Sequence, residues 1–151
     1  MESVRRWMSS PVIVAAAATP LPLVRAQMRE QRIRRLPVVD DAGRLVGIVT
    51  EGDINQVSDS PATDVRDFNL YHRVGDLPIR DIMTHPVVTV APDTSIMEVA
   101  QLLLEHRIGG VPVVEEGQVI GVITESDLFR LIVARETQAA HLSGEDIAEV
   151  S

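Results

Sequence analysis

The sequence predicts an α+β protein built from two β-α-β-β-α repeats that pack through their sheets with pseudo-twofold symmetry. Three observations predict it. The first is a doubled junction: Gly47-Ile48-Val49-Thr50-Glu51-Gly52-Asp53 returns as Gly121-Val122-Ile123-Thr124-Glu125-Ser126-Asp127. The second is a constant spacing. Met8-Ser9-Ser10-Pro11-Val12 matches Met83-Thr84-His85-Pro86-Val87 at 83 − 8 = 75, and Leu36-Pro37-Val38-Val39 matches Val111-Pro112-Val113-Val114 at the same offset. The junction follows at 121 − 47 = 74, so one residue is lost between Asp40-Asp41-Ala42-Gly43 and Glu115-Glu116-Gly117. Those are turn residues, where a deletion costs little. The third observation is size. Two units of about 60 residues would each bury only about 60% of their unfolded surface and be marginal alone, whereas two such units facing each other share one protected interior.

Each element follows from local pattern. A short strand is expected at Val12–Ala15 and again at Val87–Val90. The helix after the second has Ser95 as N-cap with Glu98 three residues on, a capping box. Ile96, Val99, Ala100, Leu103 and Leu104 then recur at helical spacing. The first copy carries Pro20 and Pro22 at its helix start, tolerated in a first turn, with Leu21, Val24 and Met28 on the matching face. Two Val- and Ile-rich runs around an acidic turn signal a hairpin in each copy. A last helix begins after Thr50 and after Thr124. The chain thus divides into repeat 1 (1–54), a linker packed on the pair (55–78, with a helical piece at Val65–Tyr71), repeat 2 (79–135) and a polar tail (136–151).

Composition excludes several classes of function. Of 151 residues, 45% are hydrophobic but only 3% aromatic, so the core must be built from Val, Ile, Leu, Ala and Met. The absence of cysteine removes disulfides and thiolate metal sites. No apolar run approaches the roughly 20 residues that span a bilayer. A net charge of −8 argues against the phosphate backbone of a nucleic acid as the main partner. The expectation is a cytoplasmic protein without a membrane anchor. His72, His85, His106 and His141 show no metal-ligand spacing. Trp7, Phe68, Tyr71 and Phe129 read as packing residues at the linker or at an interface.

Two copies of Met-x-x-x-Pro-Val, then Leu/Val-Pro-Val-Val, then Gly-x-x-Thr-x-x-Asp, resemble a tandem cystathionine-β-synthase (CBS) domain pair, or Bateman module. The likeness covers roughly Val4 to Ala134, and the chain looks like a stand-alone pair. The resemblance implies a regulatory module, not an enzyme, that binds an adenosine-containing ligand: AMP, ADP, ATP or S-adenosylmethionine. It implies that Asp53 and Asp127 accept hydrogen bonds from ribose hydroxyls and that Thr50 and Thr124 contact ribose or phosphate. It places adenine in an apolar slot near Val12 or Val87, and phosphates near Arg34 and Arg35. It also implies a homodimer and a regulated partner protein encoded elsewhere.

The residues themselves leave other readings open. Thr-x-x-Asp is also a helix cap, worth about 1 kcal/mol with no ligand present, and capping is compatible with binding. Arg34-Arg35 corresponds to Gly109-Gly110 in the other copy, the sharpest difference between the repeats. The arginines are either phosphate contacts, which would favour one cleft over the other, or part of a solvated basic run with Arg25, Arg29 and Arg32. The glycines give close backbone approach or end a helix. A ligand-free dimeric scaffold is the alternative function. A nucleotide hydrolase is disfavoured because no nucleophile–base arrangement, P-loop or dense carboxylate cluster is present.

Overall fold

The computed structural model describes residues 2–59 and 77–143. The chain opens with a helical turn, α1 (Val4–Trp7), and then builds the first repeat. This comprises β1 (Ala15–Ala16), α2 (Leu21–Gln31), β2 (Arg35–Val39), β3 (Leu45–Thr50) and α3 (Glu51–Asp59). A 3-10 turn at Ile79–Asp81 leads into the second repeat, with α4 (Ile96–His106), β4 (Gly110–Glu115), β5 (Gln118–Thr124) and α5 (Glu125–Ser143). The expected helical piece at Val65–Tyr71, with Phe68, Tyr71 and His72, lies outside the described residues. Helix α3 continues to Asp59 and α5 to Ser143, so both last helices run beyond the repeat ends expected at 54 and 135.

The two hairpins share one register. Leu36 pairs with Val49, Pro37 with Ile48 and Val38 with Gly47; in the second repeat Val111 pairs with Ile123, Pro112 with Val122 and Val113 with Gly121. Each ladder has an irregularity at the same place, Val38/Val39 and Val113/Val114. The single-residue slip therefore sits in the turn. In the longer turn the Asp40 carboxylate accepts from the N–H groups of Ala42 and Arg44, both at 2.9 Å. The shorter turn needs two positive φ angles, taken by Glu116 and Gly117.

The leading strands are shorter than the sequence suggests. In the first repeat only Ala15–Ala16 pairs, parallel to Val38–Val39; in the second a single bridge joins Val90 to Val113. Val12 and Val87 precede these pairings and lie outside any strand. The preceding prolines, Pro11 and Pro86, follow cis peptide bonds and lack the N–H a ladder needs.

Packing departs from the sequence order in one respect that governs the whole molecule. Each repeat's leading segment joins the other repeat's core. Val4, Trp7 and Met8 pack with Val99, Leu103, Val111, Val113 and Ile123 of the second repeat. Leu77, Ile79, Ile82 and Met83 pack with Leu21, Val24, Met28, Leu36, Val38, Val49 and Ile54 of the first. The exchange is sealed by backbone pairs. Ser9 and Val122 exchange N–H···O bonds at 2.9 and 3.3 Å, and Thr84 and Ile48 do so at 2.8 and 3.0 Å. Because 84 − 9 = 75 and 122 − 48 = 74, these are one contact made twice about a pseudo-twofold axis. A repeat cut out at its sequence boundaries would lose part of its core.

The expected helix faces are buried with one exception. Leu21, Val24 and Met28 on α2 and Val99 and Leu103 on α4 are core residues. Leu104 is 79% exposed. It lies two turns from Met97, so α4 carries a second apolar stripe that its own fold does not cover. None of the helices is long and apolar enough to cross a membrane among the described residues.

Candidate functional site

The doubled junction caps a helix start in both repeats, as a reciprocal capping box in the first and through the aspartate carboxylate in the second. Thr50 N–H donates to Asp53 Oδ2 at 2.9 Å, and Asp53 N–H donates to Thr50 Oγ1 at 3.1 Å. Thr124 donates to Asp127 Oδ2 from its backbone N–H at 2.9 Å and from its hydroxyl at 3.2 Å. Each threonine ends a strand and each aspartate sits at the third helical position, so the pair satisfies donors that a helix start leaves open. The capping reading is thus realised in both copies. It uses only one carboxylate oxygen of each aspartate.

The surroundings of the two aspartates differ. A cleft of about 450 Å³ opens at the seam beside Thr124 and Asp127, within the size range of small-ligand sites. Its floor is Pro11, Val12 and Ile13 from the first repeat's leading segment, with Ser9 and Val122, which the exchanged pairing joins. Its basic wall is Arg32, Arg34, Arg35 and Arg130; Glu125 and Asp127 are its only acids among the described residues. Four cations against two anions make a positive pocket on a chain whose net charge is −8. Thr124, Asp127, Arg34, Arg35 and Val12 are therefore brought together. Thr50, Asp53 and Val87 do not line this cleft; the repeat places them at the pseudosymmetric position.

The Arg–Gly asymmetry has a steric cause. Glu51 N–H donates to Arg34 O at 2.8 Å, and Glu125 N–H to Gly109 O at 2.9 Å, so residues 34 and 109 occupy equivalent places beside their junctions. From there the Arg35 side chain crosses the seam and lies over Gly109 and Gly110. A methyl group on Gly110 would collide with Arg35 Nη1 and come within 3.0 Å of Thr124 Cγ2; one on Gly109 would stand 2.8 Å from Arg35 Nη2 and 2.7 Å from Glu125 Oε1. The glycines leave the space the guanidinium fills. Burial pulls the Arg35 pKa below its ordinary value; Glu125 opposes that shift, and Arg34 adds to it. Arg34 stays exposed, and among the described residues neither it nor Arg32 forms an ion pair.

Sequence reasoning missed Arg130, whose Nη1 donates to Asp127 Oδ1 at 2.8 Å. The signal was available, since 127 and 130 share a helix face at i,i+3. It also missed Arg32 as a cleft residue. Arg32 ends α2 in the left-handed conformation, φ 55°, as Arg107 ends α4, and that turn delivers its side chain to the seam. No group of histidine and acidic side chains could hold a metal ion among the described residues.

Comparison with known proteins decides the family. The CBS domain family model matches residues 4–60 and 79–134. This chain belongs to the CBS domain family. A CBS domain-containing protein of Dictyostelium discoideum is 30% identical over 131 residues, 86% of this chain and 90% of that one. The CBS domain pair of protein MJ0100, solved with 5′-methylthioadenosine and S-adenosyl-L-methionine, superposes with a TM-score of 0.76 at 29% identity, covering 89% of this chain and 98% of that one. CBS pairs also occur inside larger enzymes. An inosine-5′-monophosphate dehydrogenase of Korarchaeum cryptofilum is 33% identical over 120 residues, which is 78% of this chain but 22% of the enzyme. The two-repeat α+β architecture of this CBS pair, packed about a pseudo-twofold axis, is the one its sequence predicts.

Proposed function

We propose that this CBS pair is a regulatory module that binds one adenosine-containing ligand per chain in the Thr124–Asp127 cleft and passes its occupancy to a partner protein. The observation that carries the reading is the convergence, in one 450 Å³ cleft at the seam, of a buried carboxylate, an apolar floor and four guanidinium groups. Asp127 Oδ1 would accept from ribose, Val12 and Ile13 would flank the base, and Arg34 and Arg32 would meet phosphate. The bound 5′-methylthioadenosine and S-adenosyl-L-methionine of the MJ0100 pair support an adenosine ligand as the class. The positive wall favours AMP, ADP or ATP within it. The Thr50–Asp53 junction lacks the arginine pair, so it is the weaker site.

A ligand at the seam touches both repeats and the exchanged leading segment. It shifts their relative arrangement by as much as its affinity differs between the two arrangements. The output is conformational, not chemical, and no catalytic residue is assigned.

The module is also proposed to act as a homodimer. Met97 and Leu104 on α4 and Phe129, Ile132 and Val133 on α5 are exposed apolar side chains on helices that pack together. The positions equivalent to these by the repeat are Pro22, Arg29, Asn55, Ser58 and Asp59. A second copy would therefore be met through the second repeat.

Isothermal titration with AMP, ADP, ATP and S-adenosylmethionine, with mass analysis of any nucleotide released from denatured protein, tests the reading. Asp127→Asn retains a capping oxygen and should lose most of the affinity. Absence of binding by every one of these ligands to the wild-type chain would end the sensor reading and leave a ligand-free scaffold.

A further inference from the structure

The Asp127 carboxylate is 3% exposed and both its oxygens are engaged: Oδ2 by Thr124 and Oδ1 by Arg130. A carboxylate this buried is costly without a counter-charge, so Asp127 depends on Arg130. Arg130 itself is only lightly held. Its side chain is 68% exposed, it lines the same cleft, and Asp127 is its only charged partner among the described residues. A ligand that presents hydroxyls to Asp127 Oδ1 must therefore share that oxygen with the guanidinium or displace it. An uncharged nucleoside offers the guanidinium nothing in return. S-adenosylmethionine offers one carboxylate but brings a sulfonium and an ammonium with it, a net positive ligand against a wall of four cations. A phosphate gives the guanidinium a new charge-assisted acceptor without taking it out of the cleft. The repeat supplies the contrast, because the residue equivalent to Arg130 is Gln56 (130 − 74 = 56).

Resting on the adenosine reading above, we propose that Arg130 is a selectivity gate: it holds Asp127 until a ligand takes its place and admits phosphorylated adenosine ligands in preference to uncharged or sulfonium ones. The gate works by exchange of partners. Arg130 leaves Asp127 Oδ1 for the ligand phosphate, and the ribose hydroxyls take the vacated oxygen. Selectivity then resides in the difference between ligands and not in the strength with which any one binds.

The test is titration of AMP, adenosine and S-adenosylmethionine into the full chain as wild type, Arg130→Gln and Arg130→Lys. Wild type should prefer AMP over adenosine. In Arg130→Gln that preference should fall by about ten- to hundredfold, the worth of one hydrogen bond to a charged group, with adenosine binding held or improved. Arg130→Lys should recover part of it, and the preference should shrink with added NaCl in wild type more than in Arg130→Gln. An AMP-to-adenosine ratio unchanged by Arg130→Gln, with both ligands still bound, overturns the gate alone. So does a rise in affinity for both ligands by one factor, which would make Arg130 a plug without selectivity. Failure of wild type to bind any of the three overturns the adenosine reading and the gate together. Unchanged circular dichroism of the variants ensures that a change in ratio reports the cleft and not folding.

Discussion

The exchange of leading segments makes a specific demand at two glycines. Gly121 sits in β5 opposite Val113, under the crossing segment Met8–Ser9. A Cβ on Gly121 would stand 2.7 Å from Met8 Sδ, 3.1 Å from Met8 Cγ and 2.9 Å from Ser9 O. The methionine can rotate away. The carbonyl cannot, because Ser9 is fixed to Val122 by two backbone hydrogen bonds. Overpacking of this kind costs about 1–3 kcal/mol. Against it stands the relief of glycine's conformational entropy, about 0.5–1 kcal/mol in a strand interior. Gly121→Ala should therefore lose about 1–2 kcal/mol net, or roughly 2–8 °C in Tm for a domain of this size.

Gly47 is the internal control. A Cβ there would meet the Met83 side chain alone, its Sδ, its Cγ at 2.7 Å and its Cβ at 3.1 Å, with no backbone atom among the nearest neighbours. Gly47→Ala should cost less, and Met83→Ala should relieve most of what it costs. Met8→Ala should relieve Gly121→Ala only in part. Urea unfolding at fixed protein concentration, arranged as the two double-mutant cycles, measures this. Equal coupling in both cycles, or a Gly121→Ala variant as stable as wild type, would show that the leading segments do not cross as described.

Other outcomes follow from the same geometry. Gly110→Ala should expel Arg35 from its place over the glycines and weaken AMP binding several-fold, and adding Arg35→Ala should recover stability but not affinity. Thr124→Ala and Thr50→Ala should each cost about 1 kcal/mol of stability as lost N-caps, while only Thr124→Ala lowers AMP affinity; equal loss of affinity in both would mean the two clefts are equivalent. Phe129→Glu with Ile132→Glu should convert the proposed homodimer to monomer in light scattering, whereas Arg29→Glu should leave it intact. Titrated to saturation, AMP should show one site per chain, and two equal sites would remove the asymmetry on which the proposed function rests.

The sequence made the architecture legible because duplication wrote each element twice. Periodicity located α2 and α4, the turn residues located the slip, and Ser95 announced a cap that the structure shows, its Oγ accepting from Glu98 N–H at 3.1 Å. The leading strands were overdrawn because Val12 and Val87 have strand propensity without partners. The crossing of Val4–Ser9 and Leu77–Thr84 could not be read at all, since an apolar residue's pattern records that it is buried and not against which repeat. The cleft was half legible. Thr-x-x-Asp and the arginines stood out by type and repetition, but their meeting in a single cleft depends on Arg35 reaching across the seam. Leu104 was misjudged for a related reason, because a helix can carry one apolar stripe for its core and another for a neighbour.

The inequivalence of the two clefts follows from the geometry of the axis. Residues 35 and 110 are equivalent by the repeat, and the side chain of one lies on the backbone of the other. Were both arginine, two guanidinium groups would compete for one volume and repel. Were both glycine, the seam would lose the group that fills it, and the lining would lose its contacts. Only one large side chain fits, so the repeats cannot stay identical there while both remain well packed. Once Arg35 occupies the space, its charge belongs to the cleft of the opposite repeat, next to Thr124 and Glu125. Arg34 and Arg32 come with it on the same connection between α2 and β2, and Arg130 adds a fourth cation where the first repeat has Gln56. A fold assembled from two similar halves is thereby driven by packing at its axis to give an anion a positive cleft at the seam beside Thr124.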